Sequence, residues 1–315
     1  MTAVATPSGA ARLGSPAEVV EGLAAVGYLA DEHIGTVVYL AERLGKPILV
    51  EGPAGTGKTE LAKSVAALLS ARLVRLQCYE GLDEAKALYE WNYRKQLLRI
   101  QVERAEESGG EGARGWRELE QDIFSEEFLL ERPLLEAIRA TDPVVLLIDE
   151  VDRIELETEA LLLEVLSDYQ VSIPELGTVR ARQIPMVVLT SNDTRELSEA
   201  LKRRCLYLYL GYPSVERERA IVLAKVPGIE HRLADEVVRV VRSLREMELE
   251  KHPSVSETLD WARSLVLLGI ERVDTSVTES TLHLLLKYRA DIEKVSAELA
   301  TRAPGTSGAG TSSPR

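Results

Sequence analysis

The sequence predicts an α/β fold, a five-stranded parallel sheet flanked by helices, with a small all-helical domain on its C-terminal side. Three observations carry that prediction. Five short apolar runs alternate with helical patterns: PILVE at 47–51, RLVRLQC at 72–78, PVVLLID at 143–149, PMVVLTS at 185–191 and CLYLYL at 205–210. Their apolarity is continuous rather than alternating, which marks strands buried on both faces and so a parallel sheet covered by helices. After Pro213 the strand signal stops, and Leu233, Val237, Val240, Val241 and Leu244 step at helical spacing.

Residues 1–15 and 301–315 are rich in Gly, Ser, Thr, Ala and Pro, with too little apolar content to fold, and read as tails. Residues 16–213 form the α/β domain and 214–300 the helical one. Over sixty residues separate Cys78 from Thr141, more than one crossover helix requires, so an element is inserted at about 82–115. There Tyr89, Tyr93, Leu97 and Ile100 share one helical face, Leu88, Trp91, Leu98 and Val102 widen it, and the pattern breaks at Ser108-Gly109-Gly110-Glu111-Gly112. Such a stripe is equally a partner-binding arm or plain core. Residues Val171–Val179, within about 170–182, read as two short strands around a turn.

Composition narrows the function classes. With 45% of 315 residues apolar, each domain can bury a core. Acidic residues outnumber basic ones 51 to 38, and a net charge of −13 repels polyanions, which counts against a nucleic-acid partner. No apolar run approaches the ~18 residues of a membrane span. The first fifteen residues lack the basic and apolar stretches of an export signal, so a cytoplasmic protein is expected. Cys78 and Cys205 lie in strand runs and are expected as buried, reduced thiols. The histidines, His33, His231, His252 and His283, are scattered without zinc-ligand spacing.

The chemistry is carried by three strand ends. Gly52-Pro53-Ala54-Gly55-Thr56-Gly57-Lys58-Thr59 is a complete GxxxxGK[ST] loop after a strand and before the helical run LAKSVAALL. Its backbone N–H groups and the helix N-terminus suit phosphates, Lys58 the β- and γ-phosphates, and the Thr59 hydroxyl Mg²⁺. The bland alternative is a glycine turn. The third strand ends in Asp149-Glu150 at the edge where parallel sheets bind ligands, so Asp149 suits the Mg²⁺ ion and Glu150 the attacking water. The alternative there is a helix cap. Adjacent carboxylates favour transfer to water over transfer to a second substrate. The next strand ends Thr190-Ser191-Asn192, whose amide can meet the γ-phosphate or act as a turn or cap residue. Lys202-Arg203-Arg204 precedes the last strand, as a solvated helix end or as a functional cation cluster.

This ordered set resembles the AAA+ ATPases over about residues 17–300. The loop matches Walker A, Ile148-Asp149-Glu150 Walker B, Thr190-Ser191-Asn192 sensor 1, and the AL-x-x-R segment before the fifth strand the arginine-finger region. The resemblance implies ATP and Mg²⁺ as ligands and a ring, commonly a hexamer. Its arginine finger falls on Arg204, with Arg203 as the alternative. A GTPase would need an NKxD motif, which Thr190-Ser191-Asn192-Asp193 does not supply.

The insert and the hairpin look like those of the MoxR group, and LEVLSDYQVSIPELGTVRA and PSVSETLDWARSL are similar to its CoxD-like members. That resemblance implies chaperone-like remodelling or metal-cofactor maturation of a client metalloenzyme, in the CoxD-like case a molybdenum carbon monoxide dehydrogenase, with a von Willebrand factor A domain protein as partner. One departure stands out: Glu257 occupies the position aligned with the lid arginine, sensor 2, and Arg263 lies about two turns on. Val26–Ala30 stands where the family pockets adenine. A RuvB-like or clamp-loader-like nucleic-acid motor is the alternative, disfavoured by the acidic balance. A non-hydrolysing scaffold is disfavoured by intact Lys58, Asp149, Glu150 and Asn192.

Overall fold

The computed structural model describes residues 13–108 and 122–302. The chain divides into two compact units, one comprising the chain through Pro53 with Lys58–Leu210, the other Ala54–Gly57 with the chain from Gly211 onward. No helix among the described residues is long and apolar enough to cross a membrane.

The first unit is built on the expected five-stranded parallel sheet, formed by β1 (Ile48–Glu51), β2 (Arg72–Gln77), β5 (Val144–Asp149), β8 (Met186–Ser191) and β9 (Leu206–Tyr209) in the order β2-β5-β8-β1-β9. The inner strands β1 and β5 are buried at every residue, whereas the edge strands β2 and β9 alternate. An edge strand is covered by fewer helices, so continuous burial holds only inside the sheet.

The two-residue side-chain period sorts the strands onto two faces. Ile48, Val50, Val145, Leu147, Val188 and Leu208 pack against α1 (Pro16–Ala25), α2 (Glu32–Leu44) and α3 (Lys58–Leu68). Leu49, Leu146, Ile148 and Leu189 pack against α6 (Pro133–Arg139), α7 (Leu156–Asp168) and α8 (Glu199–Arg204). Local signals set the helix ends. Ser15 accepts from Glu18 N with Pro16 opening α1, Asp31 caps α2, and Gly45 ends α2 at φ 60°. A hairpin pairs β6 (Gln170–Ile173) with β7 (Gly177–Arg180), joined through Pro174–Leu176.

The insert differs from the continuous helical stripe read in the sequence. After the short helix α4 (Glu84–Ala87), Tyr89–Trp91 is a strand, β3, paired antiparallel with β4 (Leu129–Glu131), and only after Asn92 does α5 (Tyr93–Ser108) begin, with the Asn92 side chain accepting from Lys95 N. Trp91 is core: it lies edge-on to Phe124 at 5.2 Å between ring centroids and is 7% exposed. In α5 the polar Gln96 faces inward and donates to the Ile123 carbonyl, while Tyr93, Leu97, Leu98 and Val102 are exposed. The glycine break at 109–112 lies outside the described residues.

The second unit contains α9 (Val215–Lys225), α10 (His231–Arg245), α11 (Val255–Leu267), α12 (Thr275–Leu285) and α13 (Arg289–Arg302). Leu233, Val237, Val241 and Leu244 of α10 pack around Trp261, whose indole N–H donates to Thr281 Oγ1 at 2.9 Å. Arg245 and Glu218 form a buried bidentate pair at 2.6 and 2.8 Å, to which Thr258 adds a third donor. Cys78 is buried and Cys205 half-buried, and burial pushes each thiol up to about 12.

Because Trp91 fills the core and Tyr93 does not, the two aromatics separate in a stability measurement. Trp91→Ala is expected to cost about 3–5 kcal/mol in denaturant unfolding, and Tyr93→Ser less than about 0.5. Equal losses would contradict this packing.

Candidate functional site

β1 ends in Glu51, and the next residue, Gly52, crosses close to Leu210 just beyond β9. Gly52 has φ 151°, and a Cβ there would lie 2.1 Å from the Leu210 carbonyl oxygen, while Leu210 N donates to Glu51 O at 2.7 Å. Only glycine fits this crossing. Gly55 and Gly57 also have positive φ. α3 opens at Lys58, whose buried ammonium donates to the Gly52 and Pro53 carbonyls, each at 2.7 Å. Burial lowers the Lys58 pKa, against the opposing pull of Asp152, Asp149 and Glu150.

Asp149, 3% exposed at the end of β5, is the meeting point. Its Oδ1 accepts from Thr59 Oγ1 at 3.0 Å and from Thr190 Oγ1 at 2.6 Å, so the α3 start, β5 and β8 share one oxygen. Its Oδ2 accepts from Arg75 of β2, at 2.5 Å from Nη2 and 3.1 Å from Nε. Glu150 adopts the left-handed region at φ 58°, and its N–H donates to Thr190 Oγ1 at 2.9 Å. Its side chain is held through Oε2 by Gln77 Nε2 at 3.1 Å and Arg153 Nε at 2.8 Å.

Asp152 joins this group. It is buried, and its Oδ2 accepts from Thr194 Oγ1 at 2.5 Å and Thr194 N at 3.1 Å. It thus ties the 3-10 turn after β5 to the loop that carries Asn192, which is half-buried just beyond β8. Burial alone would raise the Asp152 carboxyl, but the Thr194 hydroxyl and backbone donors hold it below the usual carboxylate range.

The structure therefore brings together Lys58, Thr59, Asp149 and Glu150, with Asn192 on the adjoining strand end. Arg203 and Arg204 stand elsewhere. They end α8 just before β9, whose first residue donates to the Pro47 carbonyl at the amino edge of the sheet, the edge opposite the loop. Both are exposed, and Arg204 donates to Ser167 Oγ at 2.7 Å and the Ala200 carbonyl at 2.9 Å. Asp152, Arg75 and Gln77 take part without having been singled out in the sequence, and Thr190 stood there only as part of the strand end before Asn192. The signal for Arg75 and Gln77 was there: polar residues spaced by two within the otherwise apolar run RLVRLQC.

In the second unit Glu257 has a local task. It is the N3 residue of a capping box at the start of α11: its carboxylate accepts from Ser254 N at 2.9 Å while Ser254 Oγ accepts from Glu257 N. Arg263 is exposed and pairs with Asp260 at 3.1 Å. In the first unit Tyr28, within the 26–30 segment, packs into the core with α1 and α2.

The donor chemistry fits Mg²⁺. A hydroxyl and a carboxylate oxygen 3.0 Å apart are hard oxygen ligands, and Mg²⁺ typically takes one or two protein oxygens and completes its shell with phosphates and water.

Residues 47–205 match the family model described as AAA domain (dynein-related subfamily). An uncharacterized protein of Staphylococcus haemolyticus is 24% identical over 254 residues, covering 77% of this chain and 86% of its own. Another, from Staphylococcus epidermidis, is 25% identical over 234 residues, covering 72% and 78%. Among solved structures, a point mutant of Thermotoga maritima RuvB matches 87% of this chain and 74% of its own at 19% identity and a TM-score of 0.46.

Burial alone would raise Glu257, but its Ser254 hydrogen bonds and the Lys251 charge lower it. A carboxylate lowered on folding stabilises above its unfolded value, about 4.3, and loses that contribution as pH falls through the folded value. Glu257→Ala is expected to cost about 1 kcal/mol at pH 7, a deficit that shrinks below about pH 4, with nucleotide affinity unchanged. A tenfold loss of nucleotide affinity without a stability change would give Glu257 a ligand role instead.

Proposed function

The chain belongs to the dynein-related subfamily of AAA domains, and from that membership we propose that it is a Mg²⁺-dependent ATP hydrolase of the MoxR type. The single observation that carries the reading is the 3.0 Å contact between Thr59 and Asp149, which joins the phosphate loop to the carboxylate strand end. Thr59 and Asp149 would hold the ion, which supplies charge neutralisation at the β- and γ-phosphates when bound. Gly52, Pro53, Ala54, Gly55, Thr56 and Gly57 would wrap the phosphates with backbone N–H groups. Lys58 exchanges its two carbonyl acceptors for phosphate oxygens; its burial strengthens that exchange, since a poorly hydrated ammonium gains more from an anion.

Glu150 is the base that orients and polarises water, and its left-handed backbone, fixed by Thr190, aims it away from Asp149's role. Asn192 meets the γ-phosphate or that water. Arg204 is the arginine finger, with Arg203 its alternative, and it serves a neighbouring subunit. The support is geometric: Arg204 stands at the amino edge of a sheet whose own loop leaves the carboxyl edge, about 13 Å away along a four-residue strand. This favours delivery to a neighbouring copy, and with the AAA family's usual assembly the ring proposed is a homo-hexamer.

We further propose that the ring works in the cytoplasm as a remodelling chaperone for a client metalloenzyme, in concert with a von Willebrand factor A domain partner. The outward apolar residues of α5 support client contact. A helix that turns Gln96 inward and Tyr93, Leu97 and Leu98 outward invests its apolar surface in something other than its own core.

Glu150→Gln is expected to bind ATP normally and to lose turnover by at least about 100-fold, while Lys58→Ala loses both. Equilibrium nucleotide binding and phosphate release decide this, and near-normal hydrolysis by Glu150→Gln would remove that residue from the mechanism. Mixing Arg204→Ala with Lys58→Ala is expected to restore activity that neither has alone, because mixed rings contain sites with an intact loop facing an intact finger. Demonstrated co-assembly without recovery would overturn the trans assignment.

A further inference from the structure

Asp149 carries more than its proposed ligand role explains. Both carboxylate oxygens are committed: Oδ1 to the hydroxyls of Thr59 and Thr190, Oδ2 to the Arg75 guanidinium through two N–H groups. The carboxylate is buried, with a side chain 4% exposed, and a buried charge without a partner is costly. Arg75 reaches it from the edge strand β2, where half of its own side chain stays in solvent. It is therefore a partner that can withdraw without itself becoming a buried, unpaired charge.

A divalent cation at Asp149 changes this balance. Hydroxyls such as that of Thr59 can turn and offer a lone pair to a metal, but a guanidinium has no acceptor and stays positive. Ion and Arg75 then compete for one carboxylate. We propose that Arg75 is a stand-in cation, neutralising Asp149 in the metal-free protein and giving way when Mg²⁺ arrives with nucleotide. The inference rests on the proposed Mg²⁺ site and adds a positioning residue to it. The same Nη2 also donates to Gln77 Oε1 at 2.5 Å, and Gln77 holds Glu150, so withdrawal of Arg75 loosens one of the two restraints on the Glu150 side chain.

The test is binding rather than turnover. ATP affinity is measured with a fluorescent analogue in EDTA and in Mg²⁺ for the wild type, Arg75→Gln and Arg75→Lys, and thermal unfolding is recorded under the same conditions. Without its stand-in, Asp149 repels phosphates in EDTA and takes the ion without competition. The enhancement of ATP affinity by Mg²⁺ is therefore expected to rise at least tenfold in Arg75→Gln, with Arg75→Lys between it and the wild type. Arg75→Gln should also melt lower in EDTA and recover in Mg²⁺ with nucleotide. An enhancement within twofold of wild type, or a smaller one, overturns the proposal. Arg75→Lys keeps the charge but loses the two-N–H grip on Asp149 Oδ2, so it is a weaker stand-in that still compensates the buried carboxylate, and a folding defect in Arg75→Gln leaves the lysine variant to decide: an enhancement no larger than wild type there, with normal melting, also overturns the proposal. Failure of the wild type to bind ATP in either condition would overturn the ATPase reading and this inference together, a result distinct from failure at Arg75 alone.

Discussion

Everything in the site is referred to one buried carboxylate. Asp149 ends β5, a strand buried at every residue, and its oxygens collect donors from three directions: Thr59 from the start of α3, Thr190 from β8 and Arg75 from β2. A charge at 3% exposure must be satisfied, and satisfying it fixes the relative positions of the start of α3, the carboxylate pair and the strand end that leads to Asn192. Thr190 does so twice, donating to Asp149 and accepting from the Glu150 N–H. The strained backbone of Glu150 is held by that second bond.

The arrangement separates three tasks that adjacent residues might otherwise confuse. Asp149 is locked by neutral hydroxyls and one cation, and so suits a metal. Glu150 is turned aside by its left-handed φ and tethered only by surface-reaching side chains, Gln77 and Arg153. Asp152 is buried but devoted to backbone and hydroxyl donors of the 192–194 loop, and so sets that loop's position instead of reacting. Neighbouring carboxylates acquire different chemistry from different donors.

Much of this was legible in the sequence because it rests on local rules. The glycine spacing, the apolar strands and the polar strand ends are each decided within a few residues, and the parallel sheet follows from continuous apolarity. What was hidden depends on pairing across the fold. Arg75 and Gln77 pass unremarked inside a run that reads as continuously apolar, because nothing local says that β2 is an edge strand lying beside Asp149 and Glu150. Trp91 read as part of a helical stripe because its spacings of three residues from Leu88 and seven from Leu98 are compatible with a helix, whereas β4, some forty residues on, makes it a strand. Glu257 read as a missing lid cation, although Ser254 three residues before it spells a capping box that explains it locally.

In the proposed mechanism Asp149 and Thr59 hold the ion on which nucleotide binding depends. Asp149→Asn tests it most directly, because the amide keeps the size of the side chain and an acceptor for Thr59 and Thr190 while removing the charge. The measurement is ATP affinity as a function of Mg²⁺ concentration. The Mg²⁺ dependence expected of the wild type should collapse to within about twofold of the EDTA value in Asp149→Asn, with the protein still folded. A variant that retains the full wild-type Mg²⁺ dependence would contradict it.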